Sequence, residues 1–129
     1  MRGKMRIFCI LGLIIWSIPG CSSLPAKAAP VDTELAMVAL SRFLEAWQDG
    51  KSIDALVQEQ PPIVGQDFDW MKGESLAGYR VLGSGVAQDA NLRVEVELNL
   101  SDRAGKRKTK RVAYIVGTDR TLTVFRAFE

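Results

Sequence analysis

Five stretches of the chain carry a spacing of apolar and polar residues that predicts an element. In "DTELAMVALSRFLEAWQDG", Leu40, Phe43, Leu44 and Trp47 recur at i, i+3, i+4 and i+7, the spacing of one helical face. Leu35, Ala36 and Ala39 extend that face backwards, Asp32 is a natural N-cap, Glu34 complements the helix dipole and Gly50 ends the element. "NLRVEVELNL" instead alternates strictly: Leu92, Val94, Val96, Leu98 and Leu100 on one side, Arg93, Glu95, Glu97 and Asn99 on the other. "KRKTKRVAYIVG" and "RTLTVFRAF" read as the next two strands, with "SDRAG" as the turn before them. "SLAGYRVLGSGVA" reads as an earlier strand, bent at Gly83 and Gly85.

Between helix and strands, "KSIDALVQEQPP" predicts a second, shorter helix capped by Ser52 and closed before Pro61-Pro62. An irregular stretch follows, in which Ile63-Val64 pairs briefly as a strand. The order predicts an α+β fold over residues 32–129. The long helix lies across the apolar face of a curved antiparallel sheet of about four strands. At 129 residues the chain has room for one such core.

The first thirty residues follow a different pattern. "MRGKMR" is basic, and residues 7–18 form an uncharged run of twelve that ends in "IPGCSS". A spanning helix needs roughly 20 apolar residues, so this run has the length of a signal-peptide core. Ile18, Gly20 and Cys21 resemble the leader of bacterial lipoproteins, in which a small residue precedes the cysteine that becomes lipidated; Pro19 departs from that pattern. The resemblance implies cleavage after Gly20, so that residues 1–20 are a signal peptide. Acyl chains including palmitate would then sit on Cys21, and residues 21–31 would form a tether. Each buried CH₂ contributes about 0.8 kcal/mol, so several chains together anchor durably. Ser22 and Ser23 lack the aspartate that in enteric bacteria favours the inner membrane. The expected address is therefore the cell envelope, on the periplasmic side of the outer membrane. "AKA" at 26–28 is the competing signal, an ordinary cleavage site that would release the protein to the periplasm or beyond.

Composition narrows the chemistry. There is no histidine, and after Cys21 no cysteine, which excludes histidine-based triads, thiolate zinc sites and cysteine nucleophiles. From Cys21 onward 14 basic residues face 15 acidic ones, a balance that argues against nucleic acid as a partner. No cofactor motif is present: "GSG" at 83–85 is followed by strands rather than by the helix a phosphate loop needs.

The order of elements, with "FLEAWQDG" ending the first helix, resembles the nuclear transport factor 2-like (cystatin-like) superfamily. "IVGQDFDWMKGESLAGYRV" and "YIVGTDRTLTVFR" are similar to segments of exported bacterial proteins to which no activity attaches. The superfamily resemblance implies a cone-like sheet and a possible homodimer through it. It also implies a pocket between helix and sheet, for which Trp47, Asp69, Trp70, Tyr79 and Tyr114 are the candidate lining. In some enzymes of that superfamily an acid acts as base while a tyrosine supports the oxyanion, and Asp67 and Asp69 are the acids available. No matching motif accompanies them, and such folds host many functions. The expectation is therefore a non-catalytic binding or assembly module, the alternative being a small-molecule binder or enzyme. The carboxylates of "DFDW" share one side of an extended segment and serve turns and caps rather than a cation, so no metal site is expected. "KRKTKR" at 106–111 is either an anionic-ligand patch or one side of cross-strand ion pairs, with Thr109 opposite Glu97 and Arg111 opposite Glu95. Phe125 and Phe128 are expected on opposite faces of the last strand, one of them exposed.

Overall fold

The computed structural model describes residues 29–128 together with Gly3; the leader, Gly20, Cys21 and most of the tether lie outside the described residues. Among the described residues no helix is long and apolar enough to cross a membrane. The domain opens with helix α1, Thr33–Gln48, where Asp32 Oδ1 accepts from the Leu35 amide at 3.1 Å. Gly50, at φ 77°, closes it in a conformation that glycine adopts without strain. The second helix is shorter and tighter than the sequence predicts: a 3₁₀ helix over Ile53–Gln58, which the Ser52 side chain does not cap.

Five strands follow: β1 (Ile63–Gln66), β2 (Ser75–Gln88), β3 (Asn91–Ser101), β4 (Arg107–Gly117) and β5 (Leu122–Arg126). A four-residue helix, α2 (Phe68–Met71), lies between β1 and β2. The sheet order is β1-β5-β4-β3-β2. The class is α+β as expected, with two corrections. Among the described residues there are five strands rather than about four, and the sheet is mixed, because β1 pairs parallel to β5. The β3–β4 register is displaced by two residues from the expected one. Thr109 stands opposite Asn99 and Arg111 opposite Glu97, while Val112 and Tyr114 stand beside Val96 and Val94. A two-residue slip preserves which face each side chain takes, so the alternation held while the partners changed.

The inward side chains of β3, β4 and β5 pack against one face of α1, burying Ala36, Ala39, Leu40, Phe43, Leu44 and Trp47. Leu35, counted with that face by spacing, is exposed. β2 breaks register between Leu82 and Val86, where Gly83 and Gly85 take positive φ. The last strand stops at Arg126, so Phe128 lies beyond it, and both Phe125 and Phe128 are exposed. The helix begins beside the β4–β5 turn, where the Asp32 amide donates to Thr118 Oγ1 at 2.9 Å. It ends near the start of β2, where Gln48 Nε2 donates to the Ala77 carbonyl at 3.3 Å. α1 therefore runs from one end of the sheet to the other.

Gly65 on β1 lies tightly under the helix ring of Phe43. A Cβ there would stand 2.3 Å from Phe43 Cε2 and 3.0 Å from the Val124 carbonyl. We predict that Gly65→Ala destabilises the domain by about 1–3 kcal/mol in urea unfolding, through overpacking, whereas alanine at Gly78, where a Cβ would meet only the Asn99 amide nitrogen at 3.7 Å, has little effect.

Candidate functional site

The polar chemistry of the interior gathers on the segment from Asp67 to Glu74, between β1 and β2. "DFDW" is not extended: Asp67 is the N-cap of α2, and its Oδ1 accepts from the amides of Asp69 at 2.8 Å and Trp70 at 3.1 Å. The segment faces the inward rows of β4 and β5. On β4, Lys108 and Lys110 continue the row of Val112, Tyr114 and Val116; on β5, Arg126 continues that of Leu122 and Val124. The apolar inner face of the sheet thus turns cationic where the acidic segment covers it.

The contacts are dense. Tyr114 Oη donates a short hydrogen bond to Asp67 Oδ2. Arg126 Nη1 lies 3.2 and 3.1 Å from the two Asp67 oxygens and 2.9 Å from Asp69 Oδ2. Lys110 Nζ reaches Asp69 Oδ2 at 3.3 Å, and Lys108 Nζ reaches Glu74 Oε1 at 2.9 Å. Asp67 and Tyr114 have no solvent exposure, and Asp69 and Arg126 are buried. Glu74 Oε2 is also buried and accepts no hydrogen bond.

Burial presses the Asp69 carboxyl upward, but the bonds and charge of Arg126, with Lys110 beside it, outweigh burial and bring its pKa down to about 2. Burial, reinforced by the Asp67 charge, pushes the Tyr114 phenol far above its ordinary range, so it remains a donor. Burial opposes the charge on Arg126, yet Asp67 and Asp69 raise its pKa, and it stays a cation. Two carboxylates thus face two cations with the phenol filling a remaining lone pair. Such a cluster fixes geometry; Asp67 has no oxygen left free to act as a base.

The structure joins four of the five candidate pocket residues through one set of contacts. Trp47 stacks on Trp70 with centroids 5.4 Å apart and planes at 1°. Phe43 meets Trp70 at 5.1 Å and Tyr114 at 5.9 Å, both edge-on. Trp47 Nε1 donates to the Glu74 carbonyl at 2.8 Å, and Asp69 joins Tyr114 through Arg126 and Asp67. Tyr79 stands apart on β2 near Ser41 and Glu45; burial, then the Glu45 charge, raise its pKa. The space that the pocket would need between α1 and the sheet is filled by these rings and the core. Two clefts flank it instead. One, of about 510 Å³, is lined by Ile53, Gln66, Trp70, Met71 and Phe125. The other, of about 480 Å³, runs past Phe68, Asp69, Lys110, Arg126 and Phe128.

The sequence reading missed Arg126, Lys110 and Lys108 as partners of this segment. Its own alternation contained the signal, because a cation on an inward strand position requires a buried carboxylate. The basic run divides by face. Lys108 and Lys110 turn inward to Glu74 and Asp69, while Arg111 bonds Glu95 and Thr109 Oγ1 donates to Asn99 Oδ1 at 3.0 Å on the outer side. Among the described residues no group of three or more His, Cys, Asp or Glu is placed to hold a metal. No family model matches the chain, and no curated protein or solved structure matches it either.

Two measurements test the cluster. Arg126→Leu leaves two carboxylates buried without their shared cation and is expected to cost about 3–5 kcal/mol of stability. The depressed Asp69 pKa means that its stabilisation is complete above about pH 4 and is lost as pH falls toward 2. Unfolding free energies measured from pH 6 to pH 2 therefore fall by roughly 2 kcal/mol more in the native chain than in Asp69→Asn.

Proposed function

We propose that the protein is a lipid-anchored component of the cell envelope whose domain is a non-catalytic binding or assembly module. Residues 1–20 direct export, Cys21 carries the acyl chains, and residues 21–31 tether a domain of residues 32–129 to the periplasmic side of the outer membrane. One observation carries the non-catalytic reading. The acid and phenol that could do general acid–base work, Asp67 and Tyr114, are bonded to each other and sealed from solvent. The basic start, the apolar run and "IPGC" support the anchor. The cone-like, nuclear transport factor 2-like architecture belongs to the same proposal. So does a homodimer through the outer sheet face, where Val64 and Phe125 are exposed. A second reading, a small-molecule binder or enzyme, draws on the cleft beside Asp69.

Intact mass and fractionation of the protein from its native host test the anchor. The expected species is membrane-bound, begins at Cys21 and carries two or three acyl chains, and Cys21→Ser abolishes the acylation. An unmodified chain beginning at Ala29 in the soluble fraction would overturn the reading. In a strain lacking the protein, Asp69→Asn is expected to restore the envelope phenotype where Cys21→Ser does not; the opposite pattern would favour the enzyme.

A further inference from the structure

At the β3–β4 hairpin end of the sheet, Gly78 on β2, Asn99 on β3 and Thr109 on β4 form one cross-strand row on the outer face. Ala77 is an extra residue in β2, because pairing passes from Leu76–Leu100 directly to Gly78–Asn99. The glycine beside this bulge leaves the row short of one side chain. A hollow of about 350 Å³ results, lined by Ala77, Gly78, Asn99, Arg107, Lys108 and Thr109.

No carboxylate lines this hollow. Thr109 occupies the Asn99 carbonyl oxygen, and the Asn99 amide nitrogen lies 3.7 Å from where a Cβ would sit on Gly78. Arg107 is exposed and has no ion-pair partner among the described residues. Lys108 borders the hollow, but its ammonium is bonded to Glu74 on the inner side of the sheet and is not offered to it. Around the same end, Lys72, Arg103 and Lys106 are exposed and likewise unpaired among the described residues.

The opposite end of the sheet is acidic. Asp32, Glu34, Asp89 and Asp119 are exposed there with Arg120. The two ends are separated by the length of β4, about 35 Å. The exposed, unpaired charges thus differ in sign between the two ends, and the hollow lies at the cationic one, with Asp102 turned to the amides of the hairpin turn. In the cleft beside Asp69, by contrast, the buried cation is already neutralised by carboxylates.

We propose that the hollow over Gly78 binds an oxyanion, a carboxylate or phosphate group, through the Arg107 guanidinium and the Asn99 amide nitrogen. A guanidinium and an amide N–H bordering one space suit such a group through charge-assisted hydrogen bonds. The proposal goes beyond the anchoring reading and does not depend on it, since the site lies wholly in the folded domain.

The test uses the full chain in neutral-detergent micelles, with backbone amide spectra titrated in turn with acetate, inorganic phosphate and glycerophosphoglycerol, the soluble form of an anionic lipid headgroup. The expected result is saturable shifts confined to Gly78, Asn99, Lys108 and Thr109. Arg107→Gln should weaken binding about tenfold, the loss of one charge-assisted bond. Gly78→Val should abolish it with the unfolding temperature unchanged, because a Cβ there meets only the Asn99 amide at ordinary contact distance. Preference among the three ligands assigns the source as a carboxylate, a free phosphate or a lipid headgroup. Linear shifts spread equally over Lys72, Arg103 and Lys106, no shifts with any ligand, or unchanged affinity in Gly78→Val would overturn the proposal.

Discussion

The buried carboxylate of Asp67 is the constraint on which the rest of the arrangement depends. A carboxylate taken out of water is tolerated only when donors surround it, and here they come from three elements. The amides of Asp69 and Trp70 belong to α2, the phenol of Tyr114 to β4 and the guanidinium of Arg126 to β5. Meeting that demand fixes the chain that follows β1 against the middle of the sheet. β1 can then pair parallel to β5, a pairing that no short turn could produce.

The same cluster determines where the aromatic rings lie. With α2 held by Asp67, Trp70 is brought between Phe43 and Trp47, and its Nε1 donates to the Lys51 carbonyl at 3.1 Å. Both tryptophans thereby satisfy their single donor while burying ring surface. A fold that fills its interior in this way leaves its distinctive features on the outside: a cationic hairpin end with a hollow bordered by Arg107 and Asn99, an acidic end where α1 begins, and exposed apolar side chains on the outer sheet face.

The amphipathic helix, the alternation of β3 and the bend at Gly83 and Gly85 were legible because each is a local property, set by side-chain spacing and backbone freedom. The filled interior was not legible in that way. Trp47, Asp69, Trp70 and Tyr114 were singled out as one group, but whether they enclose a space or occupy it depends on where α2 sits, and four helical residues carry no readable period. Lys108 and Lys110 were grouped with Arg107 and Arg111 as one basic run, although the strand sends them to opposite faces.

By itself, then, the sequence determined the α+β class, the bounds of the long helix, the inward row of β3, and the absence of histidine and thiol chemistry after Cys21. Only the tertiary structure decided the parallel pairing of β1, the β3–β4 register and the Asp67–Tyr114–Arg126 cluster. The hollow over Gly78 was decided there too. The reason is one of range. Periodicity reports how neighbours along the chain share a face, whereas Asp67 and Arg126 are 59 residues apart and meet because a charge buried away from water needs a partner of opposite sign.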